Sequence, residues 1–136
     1  MTSGTPDARA DADRPLVLIV DDNERNLKLA RDVLRAAGFY TLAAASGAEA
    51  IALAAEQLPD VILLDLRLPD MDGLDVAREL RDGARTRRIP VVALSSLRFA
   101  GDDARLAEAG FAGSLAKPIR VAEFPDQVRS YVCGGC

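Results

Sequence analysis

The sequence predicts an open α/β domain: a parallel sheet of five strands with helices on both faces. Three observations lead there. Short, uninterrupted apolar runs recur along the chain, several of them rich in β-branched residues, as strands buried on both faces require. Segments with helical spacing separate them, so the order reads β-α five times over. The 136 residues suit one domain, which at this size buries roughly 65–70% of the unfolded chain's surface.

Residues 1–14 carry no large apolar side chain after Met1 and are expected to form a disordered tail. The folded domain is expected over 15–132, with 133–136 as a short C-terminal tail. Pro15 opens the first strand, Leu16-Val17-Leu18-Ile19-Val20. Asn23 to Ala37 then places Leu27, Ala30, Leu34 and Ala37 on one helical stripe, and Gly38 stops it. Tyr40 to Ala44 is a weaker strand. Ser46 and Glu49 have capping-box spacing before Ile51, Leu53 and Ala54 of a second helix. Val61 to Leu64 is the third strand, Leu74 to Arg81 a helix, and Ile89 to Leu94 the fourth strand. Asp102 to Ala109 is a helix, and Phe111 to Ala116 a weaker fifth strand. Proline costs little in a first helical turn, so Pro125 predicts a short last helix from about Phe124–Asp126 to Val132. This alternation fits the flavodoxin-like (βα)5 doubly wound sheet with strand order 2-1-3-4-5. In such sheets the site lies beyond the carboxyl ends of the strands.

Composition removes several chemistries. The chain has no histidine, so it holds no Ser-His-Asp or Cys-His pair, no histidine zinc site and no phosphohistidine of its own. Only two lysines, Lys28 and Lys117, stand against fifteen arginines. The net charge of −4 argues against a nucleic-acid backbone as partner. No apolar run approaches the roughly 18–20 residues of a membrane span. The N-terminus lacks the apolar core of a signal peptide. The expectation is a soluble cytoplasmic protein, with no nucleic-acid or membrane partner.

Four strands end in chemically useful residues. The first runs into Asp21-Asp22, the third into Asp65, the fourth into Ser95-Ser96 and the fifth into Lys117-Pro118. Strands 1, 3, 4 and 5 are neighbours in the expected order. Taken singly, each is ordinary turn or helix-cap chemistry. Together they bring three carboxylates, a hydroxyl and a lysine to one sheet edge. Clustered carboxylates repel unless a cation neutralises them, and oxygen-only ligands with open positions suit Mg²⁺. A lysine and a hydroxyl facing them suit phosphoryl oxygens, and phosphoryl transfer needs mainly positioning and charge neutralisation.

The stretches VLIVDDNERNLKLARDVL, DVILLDLRLPDMDGLDVARELR, IPVVALSS and GFAGSLAKPI resemble the CheY-like response-regulator receiver domain of two-component signalling. The resemblance spans about residues 16–132, so no separate output domain is expected. The stretch DDNERNLKL is most similar to stand-alone DivK-type receivers. The resemblance implies that Asp65 is the phosphoacceptor. It makes Asp21, Asp22, Asp65 and the backbone carbonyl of Arg67 the Mg²⁺ ligands. Ser95 and Lys117 would contact the phosphoryl group, with Pro118 after a cis bond that aims Lys117. Pro69 and Gly73 fall in the turn after Asp65, where glycine admits backbone angles that other residues resist. The implied donor is a sensor histidine kinase or histidine phosphotransferase. Phosphorylation would shift Ser95 and the loop after strand 4, and so control binding of a downstream effector by a monomer or weak homodimer.

Three features depart from the pattern. The aromatic residue usual three positions before the lysine is Ser114, with Phe99 and Phe111 as candidate substitutes. Arg67 and Leu97, at positions that tune phosphate lifetime, predict slow self-dephosphorylation. Pro125 shortens the last helix. Two rival readings stand beside the receiver. One is an interaction module that keeps the fold without phosphorylation. The other is an aspartate-nucleophile phosphatase, whose second Asp would fall at the position of Arg67. Two weaker signals complete the sequence. Cys133-Gly-Gly-Cys136 ends the chain and reads as a reduced tail, and the four arginines of 81–88 read as a solvated loop.

Overall fold

A computed structural model describes residues 15–95, 102–116 and 120–132. Five strands alternate with five helices: β1 Leu16–Val20, α1 Glu24–Ala36, β2 Tyr40–Ala44, α2 Gly47–Gln57, β3 Val61–Asp65, α3 Gly73–Asp82, β4 Val91–Ser95, α4 Asp102–Ala109, β5 Gly113–Ala116 and α5 Phe124–Val132. The strands form one parallel sheet in the order β2-β1-β3-β4-β5, as the alternation predicts.

The apolar runs divide by twos between the two faces. Leu18, Val20, Ile62, Leu64, Val91 and Ala93 pack with Ala50 and Ala54 of α2, Val76, Ala77 and Leu80 of α3, and Leu106 and Ala109 of α4. Val17, Ile19, Val61, Leu63, Val92 and Leu94 pack with Ala30 and Leu34 of α1 and with Phe124 and Val128 of α5. Every residue of β1 and β3 is buried, which explains why those runs do not alternate with polar residues. Edge strand β2 buries only Ala44 fully, so its sequence signal is weaker. Right-handed crossovers account for the split of the helices. The chain moves from β1 outward to β2, then returns past β1 to β3, β4 and β5, so α1 lies on the face opposite α2–α4. The reversal opens a crevice between the carboxyl ends of β1 and β3.

Local signals place the helix ends. Asn23 caps α1, its side-chain oxygen accepting from Arg25 N (2.9 Å) and Asn26 N (3.2 Å). Gly38 stops that helix with φ +98°. Ser46 Oγ accepts from Glu49 N at 3.2 Å, and Glu49 Oε1 accepts from Ala45 N at 2.9 Å. Pro125 stands second in α5, where its missing N–H leaves no helical bond unmade. β4 begins two residues later than its apolar run, because the run's first two residues, Ile89 and Pro90, lie in the approach to the sheet. No described helix is long and apolar enough to cross a membrane.

Candidate metal and phosphoryl site

Asp21 extends the β1–β2 pairing by one residue, its N–H donating to Ala44 O at 3.0 Å. The side chain is 1% exposed. Its Oδ1 accepts from Asn23 N at 2.9 Å and its Oδ2 from Asn26 Nδ2 at 3.2 Å. The start of α1 therefore orients this carboxylate, and Asn23 serves both the helix cap and the site. Asp22 follows in the crevice and is exposed. Asp65 closes β3, in register with Leu94 of β4, and is buried. Its Oδ1 accepts from the N–H of Arg67 at 2.9 Å.

One carboxylate oxygen from each of Asp21, Asp22 and Asp65 lies within 4.8 Å of the others. Two of these carboxylates are buried, so water screens their repulsion poorly. An all-oxygen set, open on the Asp22 side, fits a hard divalent cation that keeps part of its water shell. Mg²⁺ is such an ion.

Ser95 is the last residue of β4, one step past the partner of Asp65 and in register with Ala116 of β5. Lys117 follows Ala116 and, with Pro118, Leu97 and Phe99, lies outside the described residues. The backbone thus brings the ends of β1, β3, β4 and β5 to one edge, and brings the three aspartates together there.

The loop 66–72 differs from expectation at Gly73. The residue does not have positive φ; its role is steric. A β-carbon there would sit 2.7 Å from Leu66 Cα and 2.9 Å from Asp65 O. Gly73 N donates to Leu66 O at 3.0 Å, which presses the start of α3 against the end of β3. Glycine is needed for close approach rather than for turn geometry.

Phe111, the one of the two candidate rings that lies among the described residues, does not replace the aromatic missing at Ser114. Phe111 is buried beside α4, and it precedes Ala116 by five residues, about 16 Å along an extended chain. It lies at the end of the sheet away from Asp65. Tyr131 of α5 lies against Gly113, on the face shared with Leu115 and opposite that of Ser114.

One residue escaped sequence reading. Asp70, in the loop after Asp65, accepts from Gly47 N (2.8 Å) and Ala48 N (3.0 Å) in the first turn of α2. The Gly47 amide, then that of Ala48, holds the carboxyl below its ordinary value of 3.8. In sequence Asp70 is one turn residue among several in Leu68-Pro69-Asp70-Met71-Asp72-Gly73.

Residues 17–129 match the family model of the response regulator receiver domain. The chain is 42% identical over 116 residues to the polar-differentiation response regulator DivK of Brucella ovis, covering 85% of this chain and 94% of that protein. It is 41% identical, at the same coverage, to the DivK of Brucella anthropi. Among solved structures it is similar to a putative response regulator from Chloroflexus aurantiacus (TM-score 0.82, 31% identity, 88% of this chain and 98% of that one). It is also similar to the receiver domain of a Pseudomonas aeruginosa sensor histidine kinase, whose crystal structure has a magnesium ion coordinated in the active site cleft (TM-score 0.80, 34% identity, 88% and 98%).

Proposed function

The chain belongs to the response regulator receiver family, and from that premise we propose that Asp65 accepts a phosphoryl group from a partner's phosphohistidine in a Mg²⁺-dependent reaction. The observation that carries the reading is the convergence of Asp21, Asp22 and Asp65 within 4.8 Å at the carboxyl edge of the sheet. Asp21, Asp22, Asp65 and the backbone carbonyl of Arg67 would hold the ion. When bound, Mg²⁺ supplies neutralisation of the carboxylates and of the incoming phosphoryl oxygens.

The remaining work falls to the chain's own groups. A carboxylate oxygen of Asp65 attacks phosphorus and the P–N bond to the donor histidine breaks. The histidine nitrogen keeps the electron pair and takes a proton, and Asp65 becomes an acyl phosphate. Lys117 pairs with a phosphoryl oxygen, and the Ser95 hydroxyl donates to another. Asp21, gripped by Asn23 and Asn26, stays in place while charge moves at Asp65. The absence of histidine from the chain agrees with a recipient whose donor is another protein.

The chain then catalyses only its own phosphotransfer and a slow dephosphorylation, with Arg67 and Leu97 placing no attacking water. It signals in the cytoplasm through phosphorylation-dependent binding of an effector protein. Incubation with acetyl phosphate and Mg²⁺ tests the reading. The wild-type protein should be labelled, and omission of Mg²⁺ or the change Asp65→Asn should abolish labelling. Labelling that survives Asp65→Asn would refute the site.

A further inference from the structure

We propose that Asp70 is a positioning residue for the metal site, stapling the loop after Asp65 to the first turn of α2 and so fixing the Arg67 side of that site. The inference rests on the Mg²⁺ reading given above. Asp70 is exposed and outside the aspartate cluster, so it acts through the loop rather than on the ion.

The first helical amides of α2 need partners from outside the helix. Ser46 Oγ takes the amide of Glu49, and Glu49 Oε1 takes that of Ala45 ahead of the helix, so neither serves the amides of Gly47 and Ala48. Both are taken by the two oxygens of Asp70, 23 and 22 residues away in sequence. The fit is close. A β-carbon on Gly47 would sit 2.9 Å from Met71 Sδ and 2.8 Å from Val76 Cγ2, so the helix start bears directly on the residue after Asp70.

The loop is closed on itself at its other end. Asp65 Oδ1 accepts from Arg67 N, Gly73 N donates to Leu66 O, and the backbones of Arg67 and Asp72 form an isolated antiparallel bridge. Asp70 ties this ring to a neighbouring element. That element begins three residues after Ala44, whose carbonyl accepts the N–H of Asp21. The staple therefore joins the segment bearing Arg67 to the segment that follows Ala44, the backbone partner of Asp21. Its bonds run from backbone amides to a carboxylate at 2.8 and 3.0 Å, which makes them charge-assisted.

Calorimetric titration of Mg²⁺ into the full chain tests this, with a thermal unfolding curve recorded for each variant. Asp70→Ala should weaken Mg²⁺ binding on the order of tenfold, the usual effect of losing a group that positions a ligand. Asp70→Asn, which keeps one acceptor oxygen, should lose less. Ser46→Ala removes another cap of the same helix turn without touching the loop. It should lower the unfolding temperature while leaving the Mg²⁺ affinity as in wild type. Wild-type affinity in Asp70→Ala would overturn the proposal. So would an equal loss of affinity in Ser46→Ala, which would make helix stability the cause. Failure of the wild-type protein to bind Mg²⁺ would instead remove the metal-site reading, and this inference with it.

Discussion

Replacing Gly73 by alanine probes how closely the phosphoacceptor loop is packed. The added β-carbon would lie 2.7 Å from Leu66 Cα and 2.9 Å from Asp65 O, where ordinary contact begins at 3.4 Å. The shortfalls are about 0.7 and 0.5 Å, and both obstacles are backbone, so no side chain can swing aside. Overpacking of this kind costs about 1–3 kcal/mol. Alanine recovers at most about 0.5–1 kcal/mol of helix propensity, and less at a first helical position. The net loss is about 1–2 kcal/mol, or about 4–8 °C in the unfolding temperature of a domain this size. Because relief must come from moving α3 or the end of β3, labelling of Asp65 by acetyl phosphate should slow as well. Gly38→Ala is the comparison. Its φ of +98° strains any side chain, yet nothing lies within 4 Å, so it should lose stability and keep the labelling rate. Circular dichroism melts and a labelling time course read both effects. An unchanged or raised unfolding temperature for Gly73→Ala would refute the steric account of this position.

Other consequences are as direct. Mg²⁺ at a hundred times its Kd should stabilise the wild-type protein by about 2.7 kcal/mol, and Asp22→Asn should abolish most of that gain in a thermal shift assay. Asp70 has a carboxyl depressed below 3.8, so its contribution to stability is complete above that pH and fades as pH falls through the lower folded-state value. The stability difference between wild type and Asp70→Asn, measured by urea unfolding, should therefore be constant above about pH 5 and shrink below pH 4. Lys28 pairs with Asp32 at 3.1 Å in an exposed i,i+4 pair. Lys28→Ala should change stability by less than about 0.5 kcal/mol and leave labelling intact, whereas Lys117→Ala should sharply reduce labelling.

Strand order and the aspartate cluster were legible for one physical reason. Runs such as Val61–Leu64 are buried on both faces, which only a helix-covered parallel sheet provides, and that topology carries a rule for where its site lies. Asp21, Asp22 and Asp65 follow from it without any knowledge of side-chain positions. The loop after Asp65 was less legible, because its determinants are contacts between distant segments. Gly73 looks like a turn glycine, and only the nearness of Leu66 shows that space, not φ, is limiting. Asp70 resembles any turn aspartate until the first turn of α2 is placed beside it. One trace was present in the sequence. A helix starting at Gly47 has more free amides than Ser46 and Glu49 can take, so another acceptor was required, though its address was not encoded nearby. The Ser114 departure remains local in the same sense. Phe111 and Tyr131 are near in sequence or in space, yet pack at the far end and on the opposite face of β5.

The aspartates also divide their labour by environment. Asp21 has both oxygens held by the start of α1, Asp22 faces solvent, and Asp65 ends the central strand with one oxygen on its own loop. Under the proposed reading, Asp65 is the group whose chemistry changes, and Asp21 and Asp22 would hold the ion beside it. The most direct measurement is to identify the phosphorylated residue itself. The protein would be incubated with acetyl phosphate and Mg²⁺, the acyl phosphate reduced with borohydride, and the peptides mapped by mass spectrometry. Homoserine is expected at position 65, with Asp21 and Asp22 unmodified. Reduction at Asp21 or Asp22, or no reduced aspartate in a protein that binds Mg²⁺, would contradict it.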